Sequence, residues 1–301
     1  MRRHLIALLL LPAVAAPACT AEVDYDGTEY RCTDGVTCPD GSECIDQHCL
    51  VDPGPRAMIA VPETSFVMGC DPADVPACDE DSAPAHEVTV SAFELDPTEV
   101  SQLDYWRCVD DGACAAPGTF TPGESPDLPV TLISWDDADG FCAWAGKRLA
   151  TEAEWEVAAR GAAGATFPWG EEPPACDLAQ FSGCAPEQPI AVGTPVGDAS
   201  SFGISGLAGN VAEWVGDWYG AEYYAESPAR DPTGPTSGTE RVVRGASFND
   251  TADELPSWQR EGDEPIEIDD DTGARCARSA APRATASDRT GTRARRSPAA
   301  R

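Results

Sequence analysis

The stretch Ser134–Gly161, SWDDADGFCAWAGKRLATEAEWEVAARG, decides the fold. Residues Asp136–Ala145 predict a helix, because two acidic residues lie in its first turn, where they favour the helix dipole. A second helix begins at a capping box formed by Thr151 and Glu154 and ends before Gly161. A short Gly-Lys-Arg connection joins the two helices, and three tryptophans fall within the stretch.

Upstream of this stretch the sequence predicts short strands and one more helix. Apolar runs at Met58–Val61 and Ser65–Met68 are separated by a proline, and His86–Phe93 alternates as a half-buried strand does. Thr98–Val109 is predicted to be helical, with Thr98 as its N-cap. Downstream of Gly161, loops and short strands rich in glycine, proline and tryptophan are expected.

Length and composition limit the classes of protein to consider. The 301 residues suit one medium domain with appendages, and 27 glycines, 27 prolines and eight tryptophans indicate a loop-rich globular protein. The formal net charge is -32. Such a charge repels phosphate backbones, so we expect no nucleic-acid partner.

The N-terminus predicts export. Residues 1–18 read as a signal peptide, with Arg2 and Arg3 before a short apolar run and small residues at the end. Ala16–Cys19 is similar to a bacterial lipobox, although alanine replaces the usual leucine at its first position. We therefore expect Cys19 to carry lipid and to anchor the chain to a membrane of the bacterial cell envelope; plain secretion is the alternative.

The cysteine pattern predicts disulfides. Of 13 cysteines, 12 remain once Cys19 is set aside for lipid, and an exported protein is expected to pair them. Zinc is the competing use of clustered cysteines, but the CxxC pairs typical of zinc sites are missing. Close spacing favours the pairs Cys70–Cys78, Cys108–Cys114 and Cys176–Cys184, and two bridges among Cys32, Cys38, Cys44 and Cys49.

These features divide the chain into five predicted regions. They are the signal peptide 1–18, a flexible linker 19–31, a small four-cysteine knob 32–52, a main domain 58–279 and an arginine-rich tail 280–301. The composition of the tail predicts disorder. It could contact anionic lipid or the acidic body of the protein, a solvated tail being the simpler interpretation.

An ordered set of strings resembles the sulfatase-modifying factor domain, that is, the formylglycine-generating enzyme family. The strings include Phe66–Gly69, Pro84–Val90, Asp96–Val100, Lys147–Glu156, Pro168–Gly170, Gly209–Trp214, Arg244–Phe248 and Gly273–Ala277. The resemblance implies an α+β, C-type-lectin-like fold that is loop-rich, low in regular secondary structure and often calcium-bound. It also implies a long-range disulfide between Cys142 and Cys276.

The resemblance further implies an oxidase that converts a substrate cysteine to formylglycine with dioxygen. The family's enzymes bind copper(I) through two cysteines that follow the string matched here by Arg244–Phe248. Asp250 and Leu255 stand at those two positions. We therefore expect no copper and no catalytic residue here. An iron site built on histidines is also not expected, because His48 and His86 alone remain after the signal peptide.

Calcium is the cofactor that the resemblance favours. Glu213 would supply a carboxylate, with backbone carbonyls from Gly209 and Val211 beside it, and hard oxygen donors of this kind suit calcium. Asp177 and Leu178 match a second site more weakly. The competing interpretation of the first motif is that Asn210 and Glu213 only fix loops through buried hydrogen bonds.

Tryptophans and tyrosines in the same domain offer a further candidate surface. Most tryptophans lie within the matching strings and are expected in the core. Trp218–Tyr219 and Tyr223–Tyr224 lie in a more variable segment and are predicted to form an exposed aromatic contact surface.

Two functions follow from the sequence. The first is a non-catalytic binding or scaffold module, stabilised by calcium and anchored by lipid, whose ligand is an extracytoplasmic protein or glycan. The alternative is a formylglycine-generating oxidase, or a related metal-dependent enzyme that acts on a protein cysteine. The missing cysteine pair favours the first and the retained scaffold strings favour the second.

Overall fold

The computed structural model describes residues 22–23, 30–31, 38, 42–50, 54–75 and 77–280. The predicted signal peptide, the lipidation residue Cys19 and the tail beyond Ala280 lie outside these residues. Contacts divide the chain into two units, Met1–Pro55 with Thr121–Pro126, and Arg56–Phe120 with Asp127–Arg301. Within the described ranges, no helix combines the length and hydrophobicity that a membrane span requires.

The described residues of the first unit form four short strands in the order β1-β2-β4-β3. They are β1 (Glu22–Val23), β2 (Tyr30–Arg31), β3 (Glu43–Ile45) and β4 (His48–Leu50). Asp46 and Gln47 join β3 to β4 with φ angles of 45° and 67°, the turn geometry that suits a tight hairpin. A disulfide joins Cys38 to Cys49, and Cys44 is also disulfide-bonded.

Three small sheets lie in the part of the second unit that the structure describes. Its strands are β5 (Ile59–Val61), β6 (Thr64–Met68), β7 (His86–Val90), β8 (Phe93–Leu95), β9 (Arg148–Leu149), β10 (Ala212–Trp218), β11 (Arg241–Arg244), β12 (Arg260–Asp263), β13 (Thr272–Ala274) and β14 (Cys276–Ser279). The sheet orders are β12-β11-β10-β13, β5-β8-β14-β9 and β6-β7. β10 and β13 are parallel, and the other neighbouring pairs in these sheets are antiparallel.

Among its residues up to Ala280 that are described, the second unit also has three α-helices: α1 (Gln102–Asp110), α2 (Trp135–Trp144) and α3 (Glu152–Arg160). The predicted capping box of Thr151 and Glu154 begins α3, and a second box of Ser134 and Asp137 begins α2. The predicted start of α1 at Thr98 is wrong. Ser101 caps that helix instead, because its hydroxyl accepts the backbone N–H of Asp104.

Two apolar clusters form most of the core of the second unit. The first surrounds Trp155 of α3, which is fully buried against the β6–β7 sheet and neighbouring loops. The second surrounds Trp214 of β10 and includes α2 and the buried cysteines Cys142 and Cys276. Few, short elements joined by long loops give the loop-rich α+β architecture that the sequence predicts.

Disulfides tie the loops of the second unit. The structure contains the three local pairs that spacing favours, Cys70–Cys78, Cys108–Cys114 and Cys176–Cys184. It also contains the long-range pair Cys142–Cys276, which spans 134 residues and joins α2 to β14. Each of the eleven cysteines in the described part of the chain is disulfide-bonded.

A buried ion network fixes α3 against β11 and β12. Arg244 donates to Glu156 at 2.7 Å, and Arg260 donates to both oxygens of Glu152 at 2.6 and 3.0 Å. Burial alone would raise the pKa of Glu152, but the two guanidinium groups outweigh it and hold that pKa below its usual value. The network places β11, and the loop that follows it, at a fixed distance from the helix.

Candidate functional site

The loop after β11 carries Asp250 and Leu255, the two positions that the resemblance to the formylglycine-generating enzyme family assigns to copper-binding cysteines. Gly245 and Ala246 turn the chain out of the strand with φ angles of 100° and 55°. A side chain at Gly245 would press against the ring of Trp155, so this close approach favours glycine. The turn directs Ser247 and Phe248 back toward the interior, where both are buried.

Asp250 occupies the first of the two positions and is held by hydrogen bonds. The backbone N–H and the hydroxyl of Ser247 both donate to its Oδ2, at 2.7 and 2.8 Å. Burial raises the pKa of Asp250, and the donors from Ser247 oppose that shift. The carboxylate therefore closes a turn, and it offers hard oxygen in place of a soft thiolate.

Leu255 occupies the second position and belongs to the core. Its side chain is 1% exposed and packs in a small cluster with Phe167, Ala179 and Ala208. A single turn of 3-10 helix, Ala252–Glu254, sets it there. No donor atom for a metal is present at this position, so the residues do not fit copper(I).

The space beside Asp250 is small. A cavity of about 100 Å³ lies there, with Arg244, Glu254 and Glu261 among its lining residues. Since a water occupies roughly 30 Å³, the cavity has room for a few waters but not for a peptide. The lining contains four acidic residues, two arginines and no cysteine. Burial is the main cause that raises the pKa of Glu261, and the charge of Asp250 adds to it.

The predicted calcium ligand Glu213 lies elsewhere, in the core, and its carboxylate is fully engaged. Arg275 donates to Oε1 at 2.6 and 2.9 Å and to Oε2 at 2.7 Å. The indole N–H of Trp155 donates to Oε2 at 2.8 Å. The guanidinium also contacts the carbonyl of Gly206. A positive group already neutralises this carboxylate, so the donors as arranged do not fit a calcium ion.

The neighbours of Glu213 support the competing interpretation of the motif. Asn210 takes a left-handed backbone with φ 64°, accepts the N–H of Ile190 at 2.9 Å and donates to Glu99 at 2.8 Å. Gly209 pairs with Gln180 in an isolated bridge. These are the buried, loop-fixing hydrogen bonds that the sequence allowed as an alternative to calcium.

The weaker calcium pair, Asp177 and Leu178, lies in the loop closed by the Cys176–Cys184 disulfide. Asp177 is exposed, and the backbone N–H of Leu178 donates to Ala175. In the ranges that the structure describes, no group of three or more histidine, cysteine or acidic side chains is arranged to hold a metal. Calcium at either place stays a prediction of the sequence that these geometries do not favour.

Sequence reasoning missed Glu99, a buried acid next to Glu213. Its side chain is 2% exposed, and no donor among the described residues reaches its Oε2. Burial, with the charge of Glu213, raises the pKa of Glu99 to about 7, although Arg275 opposes the shift. Gly206 lies so close that a side chain there would collide with this carboxyl group. The signal in the sequence was the Asp96–Val100 string, which carries Glu99.

The predicted exposed aromatic surface is wrong for Tyr224, which is buried, and Trp218, Tyr219 and Tyr223 are only partly exposed. Trp218 stacks on Arg241, Tyr219 donates to Asp81 at 2.7 Å, and Tyr224 is 2% exposed and donates to Glu152. These three rings therefore make contacts within the domain and do not form one exposed surface. The prediction of core tryptophans is confirmed for Trp155 and Trp214, which are 0% and 1% exposed.

The chain matches the FGE-sulfatase family, described as the Sulfatase-modifying factor enzyme 1-like domain, over residues 49–280. The chain therefore belongs to this family, and its architecture is the family's C-type-lectin-like fold.

Individual relatives include proteins with and without a named activity. The chain is 30% identical over 288 residues to mouse "Inactive C-alpha-formylglycine-generating enzyme 2", covering 74% of this chain and 86% of that protein. It is 31% identical to "Hercynine oxygenase" of Mycolicibacterium thermoresistibile, covering 70% of this chain but little more than half, 56%, of that enzyme. PvdO from Pseudomonas aeruginosa matches in structure with a TM-score of 0.65 and 26% identity, covering 74% of this chain and 94% of PvdO.

Proposed function

We propose that this protein is a non-catalytic binding or scaffold module of the formylglycine-generating enzyme family, exported and anchored by lipid. One observation carries the proposal: Asp250 and Leu255 stand where the family's oxidases place two copper-binding cysteines. An oxidase of that kind needs both thiolates, and neither side chain here supplies one.

The surroundings of the two positions strengthen the proposal. Leu255 is part of a packed cluster, so the segment has been built into the core. Asp250 is bound to Ser247, and the described cysteines are all disulfide-bonded, so no described thiol is available to replace the missing pair. The similarity to a mouse protein named as inactive is consistent with this reading.

Export and lipid anchoring rest on the N-terminal sequence and on the disulfides. Residues 1–18 have the pattern of a signal peptide and Cys19 follows a lipobox-like string. Five described disulfides suit an oxidising compartment. We place the protein in the bacterial cell envelope, with an extracytoplasmic protein or glycan as its ligand and no nucleic-acid partner.

An oxidase assay tests the lack of activity. Purified protein is incubated with a CxPxR peptide, copper and oxygen, and the peptide is analysed by mass spectrometry beside an active formylglycine-generating enzyme. We expect no conversion of the peptide cysteine by this protein. Conversion that is lost in an Asp250→Ala variant would establish the alternative, an oxidase that uses this same position.

Metabolic labelling with a fatty acid tests the anchor. The full chain should incorporate label and remain with the membrane fraction, whereas a Cys19→Ser variant should lose both properties. An unlabelled wild-type protein in the soluble fraction would refute anchoring and would favour secretion. This result would leave the assignment of the domain as non-catalytic unaffected.

A further inference from the structure

A second, larger cavity lies in the same unit, lined by residues that neither the copper nor the calcium positions include. Its volume is about 650 Å³. It is lined by residues from the ends of β7 and β14, from α2 and α3, and from the segment 231–233. The apolar part of the wall includes Val90, Trp135, Leu149 and Pro232.

The charged part of the wall is mainly acidic. Asp139, Glu154, Asp217 and Asp231 line the cavity, and Arg148 is the one basic lining residue in the described chain. Arg148 is paired with Glu154 through two hydrogen bonds of 2.6 Å. Of the three further carboxyl groups, Asp231 forms an ion pair of 3.6 Å with Arg230, which is not a lining residue. Asp139 and Asp217 form no ion pair with any residue that the structure describes.

Two of these carboxyl groups lie near the opening. Asp231 is exposed, and its Oδ1 and Oδ2 accept the backbone N–H and the hydroxyl of Ser91 at 2.6 and 2.8 Å. Asp139 is half-buried on α2. Asp217 lies deeper: it is 3% exposed and accepts the backbone N–H of Glu152 at 2.9 Å. Burial raises the pKa of Asp217 to about 8, so this group is mostly protonated at neutral pH. The negative charge of the cavity therefore lies at its rim, beside an apolar surface.

The main chain leaves the domain at this cavity. Ser279 and Ala280 are both lining residues, and the backbone N–H of Ala280 lies 3.4 Å from the carbonyl of Ala92. Beyond Ala280 come 21 residues with six arginines and one acid, Asp288, a net charge of +5 from six minus one. The arginines are Arg283, Arg289, Arg293, Arg295, Arg296 and Arg301.

Both chain length and charge favour contact between the arginine-rich segment 281–301 and the acidic cavity. An extended chain advances about 3.5 Å per residue, so Arg283 can reach roughly 10 Å from Ala280 and Arg289 roughly three times as far. A guanidinium matches a carboxylate through paired hydrogen bonds, and the aliphatic stem of arginine suits an apolar wall. Because the segment is tethered at the rim, its effective concentration is on the order of millimolar, so a weak intrinsic affinity suffices.

We propose that the segment 281–301 of this same chain binds the acidic cavity through its arginines, with Arg283 and Arg289 the first in reach. The cavity is then a docking site for a cationic segment, separate from the positions that define the family's oxidases.

Trypsin cleavage of the full mature chain tests the proposal, because trypsin cuts after arginine. The rim variant Asp139→Asn with Asp231→Asn removes two charges and keeps the side-chain shapes. Asparagine also suits position 231, whose φ of 45° is left-handed. Glu154 and Asp217 are left intact because they hold Arg148 and the start of α3. The matched control is Glu187→Gln with Glu267→Gln, two exposed carboxylates that are not among the lining residues.

We expect cleavage after Arg283 and Arg289 to be at least about three-fold faster in the rim variant than in the wild type and the control, since two semi-exposed charge pairs are lost. Unchanged thermal midpoints would show that the rim variant folds. Equal cleavage rates in all three proteins would overturn the proposal.

Cross-linking identifies the occupant. A photoreactive benzoyl-phenylalanine at Thr233, on the cavity wall, should cross-link to a peptide within 281–301 of the same molecule. That product should disappear when the six arginines are replaced by glutamine. Cross-links to a second copy, or no cross-link, would overturn intramolecular binding. Protection of the arginines only by vesicles that contain anionic lipid would do the same and would assign the segment to the membrane.

Discussion

The guanidinium of Arg275 contacts both carboxylate oxygens of Glu213, with nitrogen–oxygen distances of 2.6 to 2.9 Å. Both side chains are 1% exposed. An ion pair that is removed from water in this way depends on both partners, because a single buried charge without its counter-charge is costly. The pair joins β10 to the residue between β13 and β14, and it takes the place in which the sequence predicts a calcium ion.

Breaking this pair should destabilise the domain. We expect Glu213→Gln to lower the free energy of unfolding by about 3–5 kcal/mol, since Arg275 would stay buried without a carboxylate. Urea denaturation with the disulfides intact measures this loss. The double variant Glu213→Gln with Arg275→Met should recover part of it. Equal stability of the single variant and the wild type would show that the pair contributes little.

Calcium should not stabilise the domain through Glu213. We expect the thermal midpoint in millimolar calcium and in EDTA to agree within about 1 °C, because a ligand that does not bind the native state cannot shift its unfolding. Differential scanning calorimetry provides the measurement. A calcium-dependent rise that is absent in Glu213→Gln would instead restore the calcium site predicted from the sequence.

Glu99 should make stability depend on pH. Its pKa is about 7 in the folded protein against an ordinary value of 4.5, so the native state binds the proton more tightly than the unfolded chain does. Protonation of Glu99 therefore stabilises the folded protein fully below pH 4.5. This contribution to the free energy of unfolding, up to about 3 kcal/mol, is lost as the pH rises through 7.

The variant Glu99→Gln isolates this contribution. Its amide oxygen can still accept from Asn210, and it does not titrate. The difference in unfolding free energy between variant and wild type should change between pH 4.5 and 7, in favour of the variant at the higher pH. A difference that is constant across this range would contradict the raised pKa.

The long-range disulfide should contribute more than a short one. Cys142–Cys276 closes 134 residues, whereas Cys108–Cys114 closes six. Chain-entropy arguments give about 5 kcal/mol for the first and about 2 kcal/mol for the second. Double alanine variants of each pair, compared by urea denaturation, should show this order. The reverse order would mean that the long interval keeps structure in the unfolded state.

Local signals predict the helices well and long-range pairs poorly. The capping box of Thr151 and Glu154 spans four consecutive residues, so the sequence shows it directly. The sequence does not locate the start of α1, because Thr98 and Ser101 are equally good caps by residue type and only the structure shows that Ser101 caps the helix.

Other features of the site depend on residues far apart in the sequence. Arg275 lies 62 residues from Glu213, and Asp81 lies 138 residues from Tyr219. No local pattern indicates such partners, which is why a calcium ligand and an exposed aromatic surface were predicted in their place. The family strings identified the fold and the missing cysteines, because those depend only on order and identity along the chain.

The covalent bond between α2 and β14 has a consequence for damage to the molecule. A single cut by a protease anywhere between residues 142 and 276 would leave two fragments still joined as one molecule. Such a nicked protein would keep its mass apart from one added water, and the two pieces would separate only after a reductant is supplied.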